Sequence, residues 1–156
     1  MLAALLLAAP FAQAQETAQA ESHPSVTLGQ ATGPIRLDGI LDEPDWQAAG
    51  VISELTQQSP VPEGPTPYHT QVFLLSDGAR IYLGVHCGDP DPARIATHTM
   101  LRDADLSSDD AIAFVFDTFG DHRTGYFFQV NAAGARFDGL IVTAEPYFAV
   151  TQPSDV

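Results

Sequence analysis

Carboxylates are the residues best placed to do chemistry in this chain, and they gather in three stretches. The first is LDGILDEPDWQ, Leu37 to Gln47, which sets Asp38, Asp42, Glu43 and Asp45 beside Trp46, the only tryptophan. Two carboxylates held about 5–10 Å apart are what glycoside hydrolysis needs, and an indole offers a flat face on which a sugar ring can stack. The second is RDADLSSDD, where Asp103, Asp105, Asp109 and Asp110 crowd one segment. Hard oxygen ligands on an irregular loop suit Ca2+. The spacing is not that of an EF-hand, because Ser108 stands where the turn glycine is required and Phe114 where the bidentate Glu belongs. The third is DTFGDHRTGYFFQVN, in which Asp121, His122, Arg123 and Asn131 could line a polar groove around Tyr126.

Each stretch also has a structural reading. Asp38-Gly39 makes a tight turn. Asp42 is a good N-cap, Pro44 fits a first helical turn, and Gly50 can close the end. Glu43 and Asp45 then face the positive end of the helix dipole. This predicts one short helix near residues 42–49, with Trp46 on its inner side as a buried anchor. Asp38, Gly39, Asp42, Glu43 and Trp46 are therefore structural residues. The Asp103–Asp110 segment reads as a solvated acidic loop capped by Arg102, and the Asp121–Arg123 segment as a strand connection with a surface Arg–Asp pair. His69, His86, His98 and His122 lack H-x-H or H-x3-H spacing, so zinc has little support. No G-x-S-x-G, H-E-x-x-H or P-loop occurs. The chain reads as non-catalytic.

The elements that must position these residues are strands. TQVFLLS and RIYLGVHC flank Asp77-Gly78, a hairpin signal. AIAFVFD is apolar on both faces, as a central strand is, and GYFFQVN and ARFDGLIV are joined by the turn-like NAAGA. SVTL, IRL and VISELTQ are shorter strand candidates. Strands recur between Pro/Gly/Asp loops, which predicts an all-β antiparallel β-sandwich or barrel. PVPEGPTP is too proline-rich for helix or central strand, and Tyr68, which follows it, is the tyrosine placed to be exposed.

The 156 residues suffice for one domain with a core. With 20 acids against 6 bases, the net charge of -14 argues against nucleic acid as a partner. Cys87 is the only cysteine, so no internal disulfide forms. Residues 1–14 form an apolar run ending in Ala12-Gln13-Ala14, a cleavage pattern that predicts a signal peptide, although no Lys or Arg precedes it. Residues 15–24 read as a linker and 25–156 as the domain. The expected location is outside the cytoplasm, in the periplasm, at the outer membrane or in the medium.

IRLDGILDEPDWQAA, TQVFLLSDGARIYLGVHCGDPDP and SSDDAIAFVFDTFGDHRTGYFFQVNAAGARFDG follow one another in the chain. They resemble successive blocks of the family 9 carbohydrate-binding module and its bacterial relatives. The resemblance implies an antiparallel β-sandwich, a structural role for Trp46, and a part in carbohydrate binding or catabolism with a glycan as partner. It also implies further strands after Val156, and a full-length exported protein whose later region includes an outer-membrane barrel. Some members bind calcium, which keeps Ca2+ open as a cofactor for the acidic loop of Asp103, Asp105, Asp109 and Asp110 without fixing its ligands. The chain departs from the sugar-binding members at their platform. Leu106, Ser107 and Ser108 precede Asp110 where those members carry a Trp, and Ala113 follows where they carry a Glu. Tyr68, Arg123 and Asn131 remain as ligand-binding candidates. The alternative is a structural or interaction domain of an outer-membrane-associated protein whose sugar site has been lost.

Overall fold

A computed structural model describes residues 25–53, 55–144 and 147–151, and over them the chain is all-β. The expected signal peptide and linker lie outside the described residues. The strands are β1 (Gly29–Gln30), β2 (Gly50–Ile52), β3 (His69–Ser76), β4 (Ile81–Gly88), β5 (Ala111–Phe116), β6 (Thr124–Asn131), β7 (Arg136–Ala144) and β8 (Tyr147–Thr151). Two 3-10 turns, Pro44–Ala48 and Pro92–Arg94, are the helical pieces among the described residues. The strands form two four-stranded sheets, and the chain divides into two compact units.

The first unit holds β1 to β4. β3 pairs with β4, with antiparallel β2 and with β1, which runs parallel to it. The parallel pairing departs from an all-antiparallel expectation. SVTL contributes no strand residue, and β1 is only Gly29–Gln30. IRL forms no strand either, because its backbone is taken by a side chain: the Arg36 N–H donates to Glu43 Oε1 at 2.9 Å. VISELTQ shortens to the β2 residues Val51 and Ile52.

The helix expected near 42–49 is a five-residue 3-10 turn, Pro44–Ala48. Glu43 rather than Asp42 sits at its N-cap, and no side chain caps it. Asp42 instead pairs with Arg36 at 2.9 Å. So short a turn has almost no dipole to recruit acids, and these acids have specific partners. Glu43 accepts the Arg36 amide and, at 2.9 Å, the Trp46 indole N–H. Asp45 accepts the Thr32 and Gly33 amides and the Thr32 hydroxyl, each at 2.9 Å. Both carboxyls are held below their ordinary range by these bonds, first of all by the Arg36 amide for Glu43 and the Gly33 amide for Asp45. Asp38 Oδ1 accepts the Ile40 amide across a turn in which Gly39 has φ +80°.

Gly50 does not close a helix; Ala49 is the C-cap and Gly50 opens β2. A Cβ at Gly50 would stand 2.1 Å from the Thr27 carbonyl oxygen, and one at Gly29 would stand 2.2 Å from that of Ala48. The two backbones meet where only hydrogen fits. The core beside them is Trp46, Ala31 and Leu75, flanked by Ile35, Phe73 and Tyr82. Gly84 on β4 lies under the indole, since a Cβ there would be 3.0 Å from its ring.

Asp77 holds the β3–β4 hairpin. Its carboxylate accepts the Ala79 and Arg80 amides at 2.9 and 2.7 Å, the Tyr82 hydroxyl at 2.8 Å and an Arg80 guanidinium N–H at 3.1 Å. The Ala79 amide, then the Tyr82 hydroxyl and the Arg80 amide, bring its pKa from 3.8 to about 2. A depressed folded-state pKa gives stability that is present above the unfolded value and is lost as pH falls through the folded one. The urea midpoint should therefore drop between pH 3.8 and about 2, and Asp77→Asn should flatten that drop. An identical slope in the variant would remove Asp77 as its source.

The second unit holds β5 to β8, an antiparallel meander in the order β5-β6-β7-β8. Ala111 pairs with Asn131 and Phe116 with Tyr126 along β5–β6, and Thr124 pairs with Val142 and Val130 with Arg136 along β6–β7. AIAFVFD was expected to be central, yet among the described residues β5 lies at the edge of its sheet. Its even-numbered residues are half-buried and its odd-numbered ones exposed. Phe114 stacks on Phe128 with ring centroids 5.5 Å apart, and Phe116 meets both edge-on, so the aromatics anchor β5 to β6 from one face.

Candidate functional site

The polar residues predicted to act together are held apart by β6. Arg123 precedes its first residue and Asn131 is its last, so an eight-residue strand, more than about 20 Å long, lies between them. Tyr68 is exposed in the segment leading to β3. Asn131 is buried, and its side chain is fully used inside the fold. Its Nδ2 donates to the Thr99 carbonyl at 2.8 Å and to Asp109 Oδ2 at 2.7 Å. Its Oδ1 accepts the Ala133 and Ala135 amides at 3.1 and 2.7 Å, closing the β6–β7 turn in which Gly134 has φ +87°.

Asp109 completes this cluster. Its side chain is fully buried, and its Oδ1 takes the His98 amide at 3.0 Å and His98 Nδ1 at 2.6 Å. The Asn131 amide, followed by His98, holds the carboxyl below its ordinary range against the opposing effect of burial. A carboxylate can only accept, so Nδ1 of the exposed His98 ring donates in this bond. All the partners around it are groups of the segment and hairpin themselves. The cluster pins the segment 96–101 to the end of β6.

The other acids of the calcium candidate set have different partners. Asp110 Oδ2 accepts the Ala96 amide at 2.7 Å. Asp105 Oδ1 accepts the Ser107 amide at 2.9 Å, and this bond keeps its pKa low. Asp103, at φ +61°, pairs with Arg102 at 3.2 Å and donates its amide to the Arg136 carbonyl at 2.8 Å. Arg102 also pairs with Asp138. The four carboxylates thus hold backbone and neighbouring side chains. Among the described residues, no three His, Cys, Asp or Glu are grouped to hold a metal ion.

The loop between β5 and β6 follows the same logic with a different outcome. Asp117 accepts the amides of Phe119, Gly120 and Asp121 on Oδ1 and that of His122 on Oδ2. Asp121 accepts the Arg123 and Thr124 amides and the Thr124 hydroxyl, all at 2.8 Å. Both carboxyls sit below the ordinary range, Asp117 chiefly through the His122 amide and Asp121 through that of Thr124. Turning the acids inward leaves Phe119 outward, 74% exposed. It borders a groove of about 260 Å³ with Thr124, Tyr126, Leu140 and Val142, over Ile141. Tyr126 is 44% exposed.

The groove beside Tyr126 is lined by aromatic and aliphatic groups rather than by Asp121, His122, Arg123 and Asn131. Phe119 was not singled out in the sequence. Its signal was Asp117 followed by Gly120, an Asp-headed turn that exposes what stands between. The exposed–buried–exposed order of Leu140, Ile141 and Val142 was the matching signal on β7. No family model matches the chain, and no curated protein or solved structure matches it either, so what it does has to be read from this groove and the strands that carry it.

Proposed function

We propose that the chain is a non-catalytic binding module of the family 9 carbohydrate-binding type, an antiparallel β-sandwich carried by an exported protein. The observation that carries this reading is the groove where two exposed aromatic rings meet, Tyr126 on the paired sheet and Phe119 on the loop beside it. Aromatic rings stack on the apolar face of a pyranose, and hydrogen bonds to its hydroxyls then fix orientation. The three motif blocks and the strand-rich fold support the same assignment. So does the use of the acids, whose oxygens hold backbone amides in every loop described above.

Binding of simple sugars through this groove is weak. Leu140 and Val142 give it an aliphatic floor, and the Thr124 hydroxyl is already bonded to Asp121. The expected dissociation constants for glucose, cellobiose and xylobiose are about a millimolar or weaker, equivalent to about 4 kcal/mol or less. Titration calorimetry against these sugars, with Tyr126→Ala as the control, checks this. Micromolar affinity that survives in the variant would put the sugar site elsewhere. The aliphatic floor favours a second reading, an interaction domain of an outer-membrane-associated protein. Complete absence of heat at tens of millimolar sugar would select it.

A further inference from the structure

Asp-Gly occurs three times in the chain, at Asp38-Gly39, Asp77-Gly78 and Asp138-Gly139. A glycine, having no side chain, offers its neighbour's carboxyl an unhindered main-chain nitrogen. When that nitrogen attacks Cγ of a protonated carboxyl, an N–Cγ bond forms, the Cγ–OH bond breaks, and the hydroxyl leaves as water with the amide proton. The product is a succinimide. Water attacking its main-chain carbonyl breaks that carbonyl's bond to nitrogen, and the chain is then linked through Cγ as isoaspartate. The reaction needs a carboxyl that can take up a proton, an amide nitrogen with no other commitment, and a backbone free to close on itself.

The fold meets these needs unequally at the three pairs. Asp138 and Gly139 lie inside β7, where Gly139 is buried opposite Phe127 and Asp138 pairs with Arg102. Ring closure there would break the strand. At the β3–β4 hairpin the Asp77 carboxylate already accepts from Ala79, Arg80 and Tyr82, and the Gly78 amide donates to Ser76 Oγ at 3.0 Å. With its pKa brought to about 2, chiefly by the Ala79 amide, the protonated form of Asp77 is scarce at neutral pH. Asp38 is held far less. Its Oδ1 accepts the Ile40 amide at 3.0 Å, and its Oδ2 lies 3.6 Å from Arg36 Nε, too far for a hydrogen bond. The Ile40 bond folds the carboxyl back over the Gly39 peptide. Among the described residues the Gly39 amide has no acceptor, residues 36–42 are all exposed, and a Cβ on Gly39 would meet nothing within 4 Å.

We propose that Asp38-Gly39 is a site of spontaneous isoaspartate formation in the folded protein, and that the fold protects Asp77-Gly78 and Asp138-Gly139 from the same reaction. The product carries its free carboxyl on an exposed turn, where an enzyme that methylates isoaspartyl carboxyls can reach it. The turn shares no residue with the groove over β6 and β7, so this inference stands or falls without the sugar reading.

The test ages the 156-residue chain in neutral buffer, folded and in urea, and digests it with an endoproteinase that cuts before Asp but not before isoaspartate. In the folded protein the cut before residue 38 should be lost at least about tenfold faster than the cut before residue 77, and the cut before residue 138 should persist. In urea all three cuts should be lost at similar rates. Asp38→Glu, which would have to close a larger and slower ring, should bring methyl transfer by an isoaspartyl methyltransferase on the aged folded protein close to that of fresh protein. Equal or faster loss at residue 77 or 138 in the folded protein would overturn the proposal. So would survival of the cut before residue 38 over a time in which the chain in urea loses it, or undiminished methyl transfer to Asp38→Glu.

Discussion

Trp46→Ala is expected to remove about 3–5 kcal/mol of stability, the range for deleting a large buried aromatic. The indole is 8% exposed and packs with Ala31 and Leu75 above Gly84. Its removal leaves a void that the 3-10 turn cannot fill, because the residues that follow it on the turn and at its end, Ala48 and Ala49, are too small to reach in and Asp45 is held by Thr32 and Gly33. It also leaves Glu43 Oε2 without the indole N–H. Trp46→Phe keeps much of the ring volume and loses that bond, so its cost should be smaller, about 1–2 kcal/mol. Urea unfolding followed by circular dichroism gives both values. An alanine variant within about 0.5 kcal/mol of the parent would show that the indole is not an anchor.

Asn131→Ala is expected to cost about 3 kcal/mol or more, since each buried partner left unsatisfied costs about 1–3 kcal/mol. Four partners lose a bond at once: the Thr99 carbonyl, Asp109 Oδ2, and the Ala133 and Ala135 amides. Asn131→Asp has the same shape but replaces a donor with an oxygen 2.7 Å from a buried carboxylate. Two like charges at that distance raise the pKa of the pair, so the destabilisation is full at neutral pH and is relieved as one carboxyl takes up a proton. The variant should gain stability relative to the parent on going from pH 7 to pH 5. A loss on the same path, or an alanine variant within about 1 kcal/mol of the parent, would mean that Asn131 is not the hub of this cluster.

Much of the fold was legible where a pattern is local. β3, β4, β6 and β7 came from runs of strand formers, and their hairpins came from Asp77-Gly78 and NAAGA, whose Gly78 and Gly134 both take φ +87°. β5 was legible as a strand but not as an edge, because apolarity on both faces describes a central strand and an edge strand equally. The short strands near the N-terminus failed for a different reason. Side chains such as Glu43 compete there for backbone donors, and nothing in IRL announces that competition. The helix near 42–49 had plausible caps, but the specific bonds of Glu43 and Asp45 hold a single tight turn instead.

The candidate site was less legible, because its decisive contacts join residues far apart in sequence. Asn131 meets Asp109 22 positions away and Thr99 32 positions away. From spacing alone, an asparagine at a strand end and four nearby aspartates read as ligands awaiting a partner. The fold shows that each already has one. Residue type reported the capacity for hydrogen bonding, and only the pairing of strands revealed where that capacity went.

The close approach at Gly29 and Gly50 bears on how this sequence can drift. Neither glycine is in the core, and a substitution map weighted by burial would call both permissive. The obstacle at each is a carbonyl of the main chain, which no change of neighbouring side chain can move aside. A compensating second mutation, the usual escape for a crowded interior, is closed to them. Homologues that keep this crossing should therefore keep glycine at both places even where Trp46, Leu75 and their neighbours have been exchanged for other apolar residues. In a saturation library, the deepest depletion of this unit would fall on a seam between strands, beside positions that accept almost anything.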